Sequence, residues 1–356
     1  MLSFTKKRMA ITADVAYEET TIVARLLRCR GHGIEFPMAM TPALQRGISV
    51  VIPVKDRAHL IAQTLRSVRE QTRPVDEIVV VDDGSLDDSA AVARHAGATV
   101  VPNESGACGP AAARNHGLNR VRTELACPVD SDDLLLPHAI EKLTHAIEKT
   151  PNAPFAFGRA LAAAKEADGW QPRGIVAPLE GDMEDLPCRL YARNFVPASA
   201  VVVRTRDILD AGGYPAWLPF NEDHYAWIQL ARRASPVHVP EVLTVTRRHA
   251  GNRHDPLADA ATEEITRLAD EDPRLLACLP ERLGVQVLDM VTIALRGQRP
   301  TDAARTAWDL VMRQPERLRI LRSALERWRT RRMRAREGKE LWRADPELRR
   351  FLSAYE

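Results

Sequence analysis

Asp130-Ser131-Asp132-Asp133 sets three carboxylates within four positions, directly after Leu125-Ala126-Cys127-Pro128-Val129 and before Leu134-Leu135-Leu136-Pro137. Carboxylates are costly to desolvate, so a cluster at the end of an apolar run calls for a cation or for hydrogen-bond donors. A divalent metal answers that need: Mg²⁺ and Mn²⁺ take oxygen ligands, and Mg²⁺ is commonly held by one or two carboxylates plus the phosphates of a substrate. The chemistry expected is therefore that of a metal-bound nucleotide. The same residues also suit an Asp-rich turn in which Asp132 or Asp133 caps a helix starting near Pro137, and the four positions alone do not separate the two readings.

The flanking segments describe how such a cluster is positioned. Ile48–Val54 is a continuous apolar run of the kind found in strands buried on both faces, ended by Pro53. Ala58–Gln71 places Leu60, Ile61, Leu65 and Val68 on one helical face before the stop at Pro74. Glu77–Val81 is a second buried strand, Asp87 and Asp88 precede a helix over Ser89–His95, and Thr99–Val101 is a third strand. This alternation predicts an α/β fold of right-handed βαβ units, a Rossmann-like, mostly parallel sheet flanked by helices. Ligands of such sheets bind at the carboxyl ends of the strands, where Pro53-Val54-Lys55-Asp56, Asp82-Asp83-Gly84-Ser85 and Asp130-Ser131-Asp132-Asp133 all fall. Between the last two lies a glycine-containing stretch, Gly106–Gly117, in which Gly109 permits close backbone approach and Arg114 with a helix N-terminus attracts phosphate.

The second half is expected to hold a strand over Phe195–Val203, a short helix ending in glycine over Ile208–Tyr214, a helix opening at Glu222-Asp223, and a last strand at Val242–Thr246 leading into Arg247-Arg248-His249. From Pro256 the chain reads as helical and polar. Leu318, Leu321, Leu325 and Trp328 recur at helical spacing among many arginines. Such a helix either packs through its apolar stripe with a solvated basic face, the expected arrangement, or lies on an anionic membrane as a peripheral contact.

With 356 residues, 45% hydrophobic and 28% charged, the chain has room for a substantial core. A formal net charge of +2 provides no global field for nucleic acid, so none is expected as a partner. Five cysteines without CxxC spacing suit a reducing compartment better than a disulfide framework. No signal-peptide core follows Lys6-Lys7-Arg8, and the most apolar stretch, Leu283–Leu295, is interrupted by Gln286 and Asp289. These features predict a cytoplasmic protein, peripheral at the inner face of the membrane if it meets a membrane at all.

Taken in order from about Ile48 to about His254, the segments resemble the family 2 glycosyltransferases, inverting enzymes of the GT-A fold that use a nucleotide-diphosphate sugar. The resemblance rests on Ser49–Val54, Ser67 with Gln71, Val80–Ser85, Gly109–Asn115, Asp130–Asp133, Gly212-Gly213-Tyr214 and Asn221-Glu222-Asp223. It implies a GT-A catalytic domain over 47–255, after an N-terminal extension (1–46) and before a helical C-terminal region (256–356). It further implies that Pro53 and Lys55 border the base and ribose, although the family more often has an aromatic or Asn there. Asp83 would accept from the base, as a uracil imide requires, which favours a UDP-sugar, with Gly109 and Arg114 on the donor as well. Asp130 and Asp132 form the DxD motif, Asp132 as the direct Mn²⁺ or Mg²⁺ ligand and Asp130, with Ser131, nearer the ribose; His249 completes the metal shell. Asp223 deprotonates the hydroxyl of an acceptor that the resemblance leaves unidentified. Two alternative readings remain: a nucleotidyltransferase on a related sheet, whose glycine-rich loop after the first strand is missing here, and a noncatalytic nucleic-acid or lipid binder acting through the Arg-rich tail.

Overall fold

The computed structural model describes residues 44–178, 183, 185–218, 220–249, 258–296, 311–312 and 314–355. The expected N-terminal extension, including a helix over Val15–Arg28, lies outside the described residues up to position 43. In chain order the elements are β1 Gln45–Val54, α1 Ala58–Arg69, β2 Glu77–Asp82, α2 Ser89–His95, β3 Thr99–Pro102, α3 Pro110–Leu118, β4 Thr123–Pro128, β5 Leu134–Leu135 and α4 Ala139–Lys149. They continue as β6 Phe155–Glu166, β7 Gly169–Val176, α5 Leu186–Ala192, β8 Val201–Arg204, α6 Thr205–Asp210, α7 Glu222–Arg233 and β9 Val237–Arg248. The C-terminal helices are α8 Ala258–Glu271, α9 Pro273–Ala277, α10 Leu279–Arg296, α11 Arg317–Ala344 and α12 Pro346–Ser353.

The strands form one sheet in the order β3-β2-β1-β4-β8-β6-β9-β5, with β7 paired to β6. The ladders among β1–β4 are all parallel. The second half is mixed: β8 and β7 run antiparallel to β6, while β9 runs parallel to it. Successive β1 side chains point to opposite faces, and both faces are covered. Val51 joins a core with α3 and α7, where Trp227 packs 5.1 Å from Phe155, whereas Ile48, Val50, Ile52 and Val54 meet Ile61, Leu65 and Val68 of α1 and Ile140 and Leu143 of α4.

Three expectations are corrected. The strand over Phe195–Val203 is confined to Val201–Arg204, because the chain turns at Pro197, whose carbonyl accepts from Ala200 N at 3.1 Å. Cys188 and Cys278 are joined in a disulfide, which a spacing of 90 residues does not advertise. The apolar stripe of α11 faces outward, with Leu318 78% exposed, because the helix packs through its other side, where Ile320, Thr330 and Gly338 are buried. Among the described residues no helix is long and apolar enough to cross a membrane.

Candidate active site

The carboxyl ends of β1, β2 and β4 open onto a cleft of about 290 Å³ lined by Pro53, Lys55, Asp83, Arg114, Asp130, Ser131 and Asp132. These residues come from segments up to 79 positions apart, brought together because parallel neighbours end in register, Val54 opposite Asp82 and Val51 opposite Pro128. Gly109, next to the lining residue Pro110, has φ +103°, a conformation that favours glycine. Its N–H donates to Asp83 Oδ2 at 2.8 Å, and Asn103 Nδ2 donates to Asp83 Oδ1 at 2.7 Å. A carboxylate offers about four lone-pair sites, so Asp83 retains acceptor capacity while its plane is held. Lys55 Nζ reaches the Asp83 carbonyl at 3.1 Å. Asp82 turns away and accepts from Ser85 N at 3.0 Å, which shapes the loop.

The Asp130–Asp133 loop is pinned from several elements. Val129 N donates to Val51 O at 3.0 Å, Thr64 Oγ1 of α1 donates to Ser131 O at 2.9 Å, and Asp130 N donates to Ser199 Oγ at 3.0 Å. Asp133 does not cap the following helix. It is buried, accepting from Ser199 Oγ at 2.6 Å and Arg247 N at 3.2 Å, and burial beside Asp132 and Asp130 holds its carboxyl well above the usual range. Arg247, itself 2% exposed, donates to the Asp132 carbonyl and to Thr64 Oγ1, joining the end of β9 to α1. Ser67 and Gln71 brace the exit: Ser67 Oγ accepts from Leu135 N, and Gln71 Oε1 accepts from Ile140 N in the first turn of α4.

Held this way, Asp132 Oδ2 lies 3.0 Å from His249 Nε2 and 3.6 Å from Arg57 Nε. The Asp132–His249 contact is a hydrogen bond, and its length is also the spacing, about 3 Å, of neighbouring ligands of an octahedral ion with bonds near 2.1 Å. Asp130 is drawn elsewhere. Its Oδ1 accepts from Arg114 Nη2 at 2.5 Å, and Arg114 Nη1 donates to Glu222 Oε1 at 2.6 Å. Among the described residues, Asp130, Asp132 and His249 do not bring their ligand atoms together within 4.8 Å; the trio that does, Asp185 with Cys188 and Cys278, has both sulfurs in the disulfide. Arg114 is buried, its guanidinium 5.3 Å from the centre of the Tyr214 ring, and it bridges two carboxylates in the wall of the cleft. Next to it, Asn115 clasps Tyr214, donating to its carbonyl at 2.7 Å and accepting from its N–H at 2.8 Å.

The last piece is the start of α7. Asn221 precedes it with φ +58°, and Glu222, not Asp223, lines the cleft. Asp223 sits beside it, accepting from Asn194 Nδ2 at 3.1 Å. Burial first, and then the adjacent Glu222 carboxylate, push Asp223 up to about 6. Asn194, Ser199, Arg57 and Arg247 were not among the residues expected at the site. Ser199 and Arg247 fell within an expected strand and a basic loop, and only Arg57, two positions after Lys55, carried a local signal.

The family model for glycosyl transferase family 2 matches residues 49–206. Uncharacterized protein MT1568 of Mycobacterium tuberculosis is 32% identical over 225 residues, spanning 57% of this chain and 67% of that protein. The amylovoran biosynthesis glycosyltransferase AmsE of Erwinia amylovora is 29% identical over 199 residues, 54% of this chain and 72% of AmsE. Among solved structures, S. aureus TarS 1-349 in complex with UDP-GlcNAc superposes with a TM-score of 0.57 at 19% identity, covering 84% of this chain and 92% of that one. The mannosyltransferase PcManGT from Pyrobaculum calidifontis, in complex with GDP-Man and Mn2+, superposes with a TM-score of 0.50 at 18% identity, covering 88% and 96%. The sheet and its flanking helices are therefore a GT-A fold, and the chain belongs to glycosyl transferase family 2 and is a glycosyltransferase.

Proposed function

We propose that the chain moves a sugar from a nucleotide-diphosphate sugar, with a UDP-sugar favoured, to an acceptor hydroxyl with inversion at the anomeric carbon and with the help of Mn²⁺ or Mg²⁺. The catalytic domain is assigned to 47–255. The observation that carries the reading is Asp132, which lines the same cleft as Pro53, Lys55 and Asp83 and stands 3.0 Å from His249, next to the lining residue Arg248. PcManGT with GDP-Man and Mn2+ and TarS with UDP-GlcNAc lend support.

Asp83 accepts from the base, with its oxygens oriented by Gly109 and Asn103. Pro53 and Lys55 border the nucleoside, and Asp130 and Ser131 lie toward the ribose. Asp132 and His249 would hold the cation, which when bound would offset, as a Lewis acid, the negative charge gathering on the leaving diphosphate. An imidazole ligand leans toward Mn²⁺, since Mg²⁺ prefers an all-oxygen shell. Arg114 orients Asp130 and Glu222, a positioning role beside the contact with the donor expected from sequence. Asp223 takes the proton from the acceptor hydroxyl, whose oxygen bonds the anomeric carbon as the bond to the phosphate oxygen breaks and its electron pair leaves with the nucleoside diphosphate. A base poised near 6 is mostly ionised at neutral pH yet still basic enough to accept a proton. One carboxylate suffices for a single displacement.

The test is calorimetric titration of the purified chain with UDP, dTDP and GDP, with and without Mn²⁺, beside Asp132→Ala. The expected result is metal-dependent binding of UDP that the variant loses. Absence of binding by every nucleotide under both conditions overturns the reading.

A further inference from the structure

Helix α11 runs for 28 residues, about 42 Å at 1.5 Å per residue. Its inner side is fixed to the sheet: at Gly338 an added Cβ would lie 2.8 Å from Gly174 Cα of β7, and Arg159 is ion-paired to Glu337. That anchoring sets which side faces out. At 3.6 residues per turn the outer side presents Leu318, Leu321, Leu325, Trp328 and Met333, between 43% and 78% exposed, together with Arg322, Arg329, Arg332, Arg336, Lys339 and Arg343. The acids among them, Glu326 and Glu340, are each paired to an arginine one turn away, Arg322 and Arg336. The apolar groups gather toward the start of the helix and the cations toward its end. An apolar groove between α10 and α11, lined by Val287, Leu288 and Trp328, extends the apolar area.

We propose that this face docks the chain on an anionic lipid bilayer. The helix lies in the plane of the interface, with the leucines, Met333 and the Trp328 ring at the boundary of headgroups and acyl chains and the arginines on lipid phosphates. Charge selects this occupant. A second copy of the same face brings cation against cation if the two helices run parallel and cation against leucine if they run antiparallel, and a nucleic-acid duplex leaves the leucines without an apolar partner. Arg332 lies 4.5 Å from the centre of the Trp328 ring, so cation and indole share one site at the surface.

The experiment is co-sedimentation of the full chain with vesicles of phosphatidylcholine alone and of phosphatidylcholine with one quarter phosphatidylglycerol. The wild type is compared with Leu321→Glu/Leu325→Glu and with Arg329→Glu/Arg332→Glu/Arg336→Glu. UDP binding by the same preparations verifies the fold independently, since all these positions are exposed and none lines the cleft. Expected are at least tenfold greater partitioning to the anionic vesicles, a fall with salt, and a tenfold loss in both variants. A blue shift of tryptophan emission on vesicle addition should disappear in Trp328→Phe. Partitioning to neither vesicle, partitioning unchanged in the variants, or concentration-dependent dimerisation or duplex DNA binding that the variants abolish without any vesicle binding overturns the proposal.

Discussion

Asp132 Oδ2 and His249 Nε2 stand 3.0 Å apart although 117 positions separate them in the chain. If they share one ion, Asp132→Ala should lower kcat by at least ~10²-fold, since a Lewis acid contributes several kcal/mol to the developing charge. His249→Ala should chiefly weaken the metal, shifting the Mn²⁺ dependence of turnover upward by about tenfold or more. Initial rates over a Mn²⁺ titration check both; equal metal dependence in His249→Ala and the wild type removes His249 from the shell.

Asp223 is held up to about 6 by burial beside Glu222, and the base must be ionised to act. Log kcat/KM should therefore rise with unit slope to about pH 6 and level above it. Asp223→Asn should lose ~10²–10⁴-fold in kcat with an unchanged melting temperature. Asn194→Ala removes a donor to the ionised form, which raises the carboxyl further; its acidic limb should move to higher pH, a shift that a purely structural role would not produce.

Arg114 is buried between Asp130 and Glu222. Arg114→Met leaves two carboxylates without their cation, and such removals cost about 3–5 kcal/mol. Chemical denaturation should register that loss together with weakened UDP binding, whereas Arg114→Lys should recover part of the stability without restoring both contacts.

The Cys188–Cys278 disulfide closes a loop of 90 residues between α5 and the C-terminal helices. Cys188→Ser should cost about 2–4 kcal/mol and lower the melting temperature, and dithiothreitol should lower the wild type similarly while leaving the variant unaffected. A wild type insensitive to reductant would argue that the pair contributes nothing to stability.

What the sequence determined by itself is the local and the periodic. Helix α2 falls on the expected Ser89–His95, and β1 and β2 are recognisable because strands buried on both faces read as unbroken apolar runs. Alternation of strand and helix then sends Lys55, Asp83 and Asp130–Asp133 to one edge of the sheet without knowledge of any contact. What only the tertiary structure decided is which side chain answers which. The β6–β7 hairpin and the antiparallel pairings of the second half depend on ladders between distant segments, and no local period encodes them. Arg114 reads in sequence as a phosphate receptor, and nothing local announces that Glu222, 108 positions later, is folded against it. Asn194 becomes a partner of Asp223 and Ser199 a clasp on Asp133 only because a turn at Pro197 interrupts an otherwise strand-like run. The outward leucines of α11 have the same origin: spacing defines a stripe, but Gly338 seated on Gly174 determines which way it faces. Hydrogen bonds and close packing act over a few ångströms in space and are indifferent to separation along the chain.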